Sequence, residues 1–233
     1  MKRLFCAVAL FALLLLAACG HAGANSFDLA EYAFPQAIDP SAQYLLYLHP
    51  KIVEDQGLPA VSTEYGAFDY AAILEKFSAA GFVVISEQRA KDTDSQVYAE
   101  KVAGQVQTLL AAGVPEANIT VVGASKGGGI ALLVSHLVEN RGVNYAVLSI
   151  CSPATVDDLL ARHITLHGNV LSLYDAGDPL AGSCARLFEA SRGTGLEQEK
   201  EIELYIGSGH GILFQPLKEW VEPILAWAHA PQE

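Results

Sequence analysis

Short runs of Val, Ile, Leu and aromatic residues alternate with longer amphipathic stretches along most of this chain. Strand-length apolar runs fall at 43–49, 82–86, 119–124, 145–150, 169–174 and 201–206. Between them lie helical patterns at 70–80, 96–112, 127–139, 156–162 and 185–192, and a last one at 217–230. Asp94 or Ser95 suits the N-cap of the second helix, and Gly81 suits the C-terminal end of the first. Apolar strands that alternate with helices imply right-handed crossovers and a mostly parallel sheet of about six to seven strands, covered by helices on both faces. The seventh strand would be an N-terminal edge strand around 27–34. In such a sheet, ligands bind beyond the carboxyl ends of the strands.

The third run, Ile119-Thr-Val-Val-Gly-Ala124, passes directly into Ser125-Lys-Gly-Gly-Gly129 and a helical pattern. This is Gly-x-Ser-x-Gly in a strand–turn–helix setting, where small residues flank a serine whose hydroxyl projects from the top of the sheet. A base can activate that hydroxyl toward a carbonyl carbon, which points to acyl transfer. Such chemistry needs a base, an acid to orient it, and donors for the developing oxyanion. With this elbow the order along the chain is nucleophile, acid, histidine. Of seven histidines, only His210 and His229 follow the candidate acids. His229 ends the last helical pattern, whereas His210 sits in Gly207-Ser-Gly-His-Gly211, a loop flexible enough to bring its ring over the serine.

Leu173-Tyr-Asp-Ala-Gly-Asp178-Pro179 follows the penultimate strand and offers two carboxylates. Asp178, in a Gly-Asp-Pro turn, is the favoured acid; Asp175 remains an alternative that could instead stabilise the turn. Lys126 is expected to give one backbone N–H to the oxyanion. The second donor should come from Leu48-His-Pro-Lys-Ile52, where Pro50 has no N–H, leaving Lys51 or, less favoured, Ile52. His49 is expected to support that loop by hydrogen bonds. The Lys126 side chain reads as solvated at the pocket rim. Glu54, Asp55, Glu87 and Arg89 read as surface or loop-bracing charges. No Gly-Lys-Ser/Thr or Gly-x-Gly-x-x-Gly pattern and no clustered Cys/His ligands occur, so neither cofactor nor metal is expected.

Taken together, the elbow, the acid turn and the histidine loop resemble the α/β-hydrolase superfamily over nearly all of the chain after its first segment. More narrowly, Tyr47-Leu-His-Pro-Lys-Ile-Val-Glu-Asp-Gln-Gly57 with Val121-Val-Gly-Ala-Ser-Lys-Gly-Gly128 is similar to small bacterial exported α/β hydrolases of unassigned substrate. The resemblance implies a serine hydrolase cleaving carboxylic esters. About eighteen residues separate Cys151 from the run at 169, which leaves no room for a large cap domain and implies a shallow, open site. Two competing readings stay open: a non-catalytic lipoprotein that uses the scaffold for binding, and amide or thioester hydrolysis on the same triad.

The first eighteen residues stand apart. Lys2 and Arg3 precede an apolar stretch that is too short to span a membrane comfortably and reads as a cleaved export signal. Leu16-Ala-Ala-Cys19 resembles a bacterial lipobox, which implies cleavage before Cys19 and lipid attachment there. Gly20 after it favours the outer membrane if the source is Gram-negative. Residues 19–42 would be a tether and lead-in, and 43–233 the catalytic domain. The signal carries Lys2 and Arg3 and no acid, so its removal moves the net charge from −12 to −14. So acidic a surface repels nucleic acid and anionic lipid, which leaves the lipid on Cys19 as the membrane attachment. Without Cys6 and the acylated Cys19, Cys151 and Cys184 remain. Both lie near one edge of the sheet in an exported protein, so they are expected to form a disulfide.

Overall fold

A computed structural model describes residues 27–229. The segment read as a signal, Cys6, the Cys19 expected to carry a lipid, and the last residue of the helix expected to reach 230 all lie outside that range. The elements are β1 (Tyr44–Leu48), α1 (Lys51–Gln56), β2 (Val61–Ser62), β3 (Gly66–Ala67), α2 (Tyr70–Ala79), β4 (Val83–Ile85), α3 (Ser95–Ala111), β5 (Ile119–Ala124), α4 (Lys126–Val138), β6 (Asn144–Leu148), α5 (Pro153–Ala161), β7 (Gly168–Asp175), α6 (Ala185–Ser191), β8 (Leu196–Leu204) and α7 (Lys218–Ala228). Six strands pair in parallel in the order β4-β1-β5-β6-β7-β8, and β2 with β3 forms a separate small hairpin.

The period-2 alternation of the strands divides the interior into two cores. Tyr44, Leu46 and Leu48 of β1, Val121 of β5 and Val147 of β6 face α3, α4, α5 and α6. Leu45, Tyr47, Val122, Leu148 and Leu173 face α1, α2 and α7. Burying each such aliphatic side chain contributes about 1.5–3 kcal/mol. Helix starts are closed by short acceptors: the Asp94 carboxylate accepts from Val97 N–H at 2.9 Å and Asp69 from Ala72 N–H at 3.2 Å.

The chain leaves β1 toward β4 on one side and leaves β5 toward β6 on the other, so the sheet changes winding direction between β1 and β5. Their carboxyl ends flank the crevice where this architecture places ligands. Leu48 pairs with Gly123 at that point, which brings the β1–α1 loop against the elbow.

Two expectations change. Residues 27–34 form no strand. Leu29–Tyr32 is a 3₁₀ turn because the Asp28 carboxylate captures the Ala30 N–H at 2.9 Å and curls the chain. The segment still meets the sheet, since Ser86 N–H donates to Tyr32 O at 2.8 Å. Nor is His210 on a loose loop: Gly209–Phe214 is a 3₁₀ turn pinned by buried Ile212, Leu213 and Phe214. The disulfide joins Cys151 to Cys184, with Cα atoms 5.1 Å apart and both residues buried.

Candidate active site

β5 delivers Ser125 at a backbone conformation that side chains rarely adopt, φ 51° and ψ −119°, and α4 begins with the next residue. Strain of this kind is characteristic of an exposed nucleophile at a strand–helix turn. The residues two positions to either side, Gly123 and Gly127, must be glycine for reasons of contact. A Cβ on Gly123 would lie 2.2 Å from Gly127 O, and one on Gly127 would lie 2.0 Å from Leu48 O. Backbone atoms are on the other side of both contacts, so no rotamer can relieve them. The Ser125 N–H donates to Leu148 O at 2.8 Å, which fixes the turn to β6.

His210 Nε2 lies 3.0 Å from Ser125 Oγ, and His210 Nδ1 lies 2.8 Å from Asp178 Oδ2. The three side chains expected from chain order therefore form one hydrogen-bonded line across three separate loops. Asp178 Oδ1 also accepts from Leu180 N–H at 2.9 Å. Burial alone would raise the Asp178 carboxyl, but the hydrogen bonds from His210 and Leu180 outweigh it and hold it below the usual carboxylate range. Ser149, at positive φ just past β6, adds a smaller contribution in the same direction.

Asp175 has different partners. Its Oδ1 accepts from Gly177 N–H at 2.8 Å, and its Oδ2 from the N–H groups of Ile206, Gly207 and Ser208 at 3.2, 2.9 and 3.3 Å. It ties the acid turn to the backbone that leads into His210. The other face of the histidine turn meets the β2–β3 hairpin: the Tyr65 and Phe214 rings are 5.3 Å apart, and Asp69 N–H donates to Phe214 O at 2.9 Å. His229 is remote from the serine. It stacks on Phe82 and meets Gln43, which precedes β1 at the opposite end of the sheet.

Lys51 and Lys126 are the first residues of α1 and α4. N–H groups at a helix start have no acceptor within the helix and carry the positive end of its dipole. The tight approach of Gly127 to Leu48 and His49 brings these two starts together. Beside them is a buried polar cluster in which Glu54 and Arg89, expected to be surface or loop-bracing charges, brace loops from the interior. The Lys126 side chain is not a solvated rim group: its Nζ donates to Glu54 Oε1 at 2.5 Å and to Thr93 O at 2.6 Å. Glu54 and Arg89 have fully buried side chains joined at 3.1 Å, and Arg89 Nη2 donates to His49 O at 2.5 Å. Asp55 and Glu87, by contrast, form ion pairs with Lys51 and Lys101 in which every partner remains substantially exposed. His49 braces its loop as expected. Its Nδ1–H donates to Pro50 O at 2.8 Å and its Nε2 accepts from Arg89 N–H at 2.8 Å. Burial and the Arg89 charge push its pKa down from 6.5 to about 3, so the ring is neutral. Among the described residues there is no cluster of three or more metal-ligating side chains, and no helix is long and apolar enough to cross a membrane.

A doubly covered parallel sheet with a nucleophile elbow at its switch point defines an α/β hydrolase. Solved structures with this fold include SOBER1 from Arabidopsis thaliana, at 15% identity over 80% of this chain and 97% of that one, TM-score 0.54. A monoacylglycerol lipase from Paleococcus ferrophilus is 13% identical over 79% and 93%, TM-score 0.55. A predicted CIB-like hydrolase from Thermoplasma acidophilum is 16% identical over 81% and 87%, TM-score 0.51. No curated protein sequence matches the chain. The family model of class 3 lipases matches residues 70–187, just over half of the chain and inclusive of Ser125 and Asp178. The chain belongs to the class 3 lipase family and is an esterase- or lipase-type hydrolase.

Proposed function

We propose that the protein is a serine carboxylesterase acting through an acyl-enzyme. The observation that carries this reading is the unbroken hydrogen-bonded line Asp178–His210–Ser125 at a strained elbow. As Ser125 Oγ bonds to the ester carbonyl carbon, His210 Nε2 takes its proton and the carbonyl π pair moves onto oxygen. The backbone N–H groups of Lys126 and Lys51 hold that oxyanion. Asp178 accepts the Nδ1–H, which fixes the tautomer and stabilises the imidazolium. The imidazolium then protonates the departing alkoxide as the C–O bond breaks. Water repeats the sequence on the acyl-enzyme, which releases the carboxylic acid and regenerates Ser125.

Only α5 stands between β6 and β7, so no cap domain builds a deep acyl tunnel there. Small esters, or esters presented at a surface, fit such a site. The Leu16-Ala-Ala-Cys19 pattern supports a lipid anchor on Cys19 that holds the enzyme in a bacterial cell envelope. Fluorophosphonate labelling and p-nitrophenyl acetate turnover test both parts. Ser125→Ala should abolish both activities, and the labelled wild-type band should partition with membranes, moving to the soluble fraction in Cys19→Ser. Undiminished labelling of Ser125→Ala would sink the esterase assignment. Wild-type protein that never reacts with the probe would favour a binding role instead.

A further inference from the structure

We propose that Glu54 is the positioning residue of the oxyanion site, a single buried carboxylate that sets both N–H donors at once. The proposal rests on the assignment of Lys126 and Lys51 as those donors.

Glu54 lies in the first turn of α1, the helix that Lys51 begins. One of its oxygens receives the Lys126 ammonium and the other receives Arg89 Nε. Through Lys126 it holds the residue whose N–H follows the nucleophile. Arg89, in turn, grips the loop that leads into Lys51 at two points: its Nη2 donates to His49 O and its N–H donates to His49 Nε2. The guanidinium also stacks over the Tyr98 ring at 5.3 Å, and Thr93 O takes a second Lys126 proton. Three chain segments far apart in sequence thus converge on one carboxylate beside the crevice.

Stability is a poor explanation for this cluster. Buried ion pairs contribute little net stability compared with apolar residues of similar volume, because desolvation offsets the attraction. Position is a better one. Donors for an oxyanion act only if preorganised within a few tenths of an ångström, and a displacement of about 1 Å can cost about 10²-fold in rate. Lys126 makes a useful contrast, since its backbone N–H is the assigned donor to the reacting oxygen whereas its side chain only anchors it, to Glu54 and to Thr93 O.

The test uses the full chain, with Glu54→Gln and Lys126→Met made singly and together. Steady-state hydrolysis of p-nitrophenyl acetate, inhibition by a trifluoromethyl ketone, fluorophosphonate labelling and thermal unfolding are measured for each. The ketone adds to the serine as an alkoxide and therefore reads the oxyanion donors directly. In each single variant kcat should fall about 10- to 100-fold while KM moves less than about threefold. The ketone inhibition constant should rise in parallel with the loss of kcat. The double variant should be no worse than the poorer single one, because the two groups act as a unit. Labelling should still reach one probe per chain, more slowly, which separates this proposal from the triad reading: failure of the latter leaves wild-type protein unlabelled. Full kcat in either folded variant overturns the proposal. So does a fall in kcat that leaves the ketone affinity untouched, or one that merely follows a loss of folded protein. Should Glu54→Gln fail to fold, Lys126→Met, whose side chain is partly exposed, decides alone.

Discussion

Asp175 and Asp178 stand in one turn and bear chemically identical side chains, yet only Asp178 bonds to the histidine ring. Asp178→Asn can still hydrogen-bond His210 but favours the wrong tautomer, so kcat should drop by about 10⁴-fold, far out of proportion to any fall in the unfolding midpoint. Asp175→Asn weakens an acceptor that serves four backbone N–H groups. It should cost roughly 1–3 kcal/mol in urea denaturation, with a smaller effect on kcat. The opposite pattern in the two variants would make Asp175 the triad acid. Chain order left His210 and His229, the glycine-rich loop after a strand favoured His210, and the same order narrowed the acid to this turn. It could not choose between the carboxylates, because the choice depends on which one the Gly177 and Gly207 N–H groups capture. Glu54, Arg89 and Lys126 were harder still. A surface charge and a buried loop brace look alike in sequence until the partners are known, and here those partners lie 35 and 72 residues away.

Among the elements, long periodic segments were the legible ones. β5 falls at the expected residues, and α2, α3, α4 and α6 agree to within a residue at either end. α1 escaped because a six-residue helix behind Pro50 is too short to display a period. The first half of β8 escaped because Leu196–Leu204 is an edge strand, LEQEKEIEL, mostly polar and without an unbroken apolar run. The helical turn that carries His210 gave no period either, and three buried apolar residues impose it. The disulfide belongs to this scale as well. It ties the loop after β6 to the start of α6, with a sequence separation of 33 that encloses β7 and both acids. A Cys151→Ser/Cys184→Ser variant should lose about 3–4 kcal/mol of stability in denaturant titrations. Its residual activity per folded molecule should fall too, since Asp178 would be positioned by hydrogen bonds alone.

For the whole molecule, three buried groups give stability the same dependence on pH. His49 is held neutral with its pKa depressed to about 3, so the unfolded chain binds a proton that the folded one refuses. The contribution is complete above the ordinary value of 6.5 and is lost as pH falls from there toward 3. Glu54 and Asp178 are carboxyls lowered in the folded state. For Glu54, burial acts upward but the Lys126 and Arg89 hydrogen bonds and charges prevail. Their contribution is complete above the ordinary carboxylate values of about 4 and is lost as pH drops below them. The urea midpoint should therefore decline gently below about pH 6.5 and steeply below about pH 4. A flat midpoint between pH 7 and 5 would contradict the buried neutral imidazole.

The two flanks of the sheet are guarded by different means. β8 presents Glu197, Glu199, Lys200, Glu201 and Glu203 along the outermost strand, and charge on an edge discourages a foreign strand from docking there. At the opposite flank, the Ser86 N–H of the β4 edge is already taken by Tyr32 O of the lead-in. An open sheet edge puts any protein at risk of strand-to-strand aggregation, and this one meets that risk with charge on one side and a blocking segment of its own chain on the other. The curl that Asp28 imposes thus serves as a doorstop, and a chain begun beyond it would open the β4 edge to its neighbours.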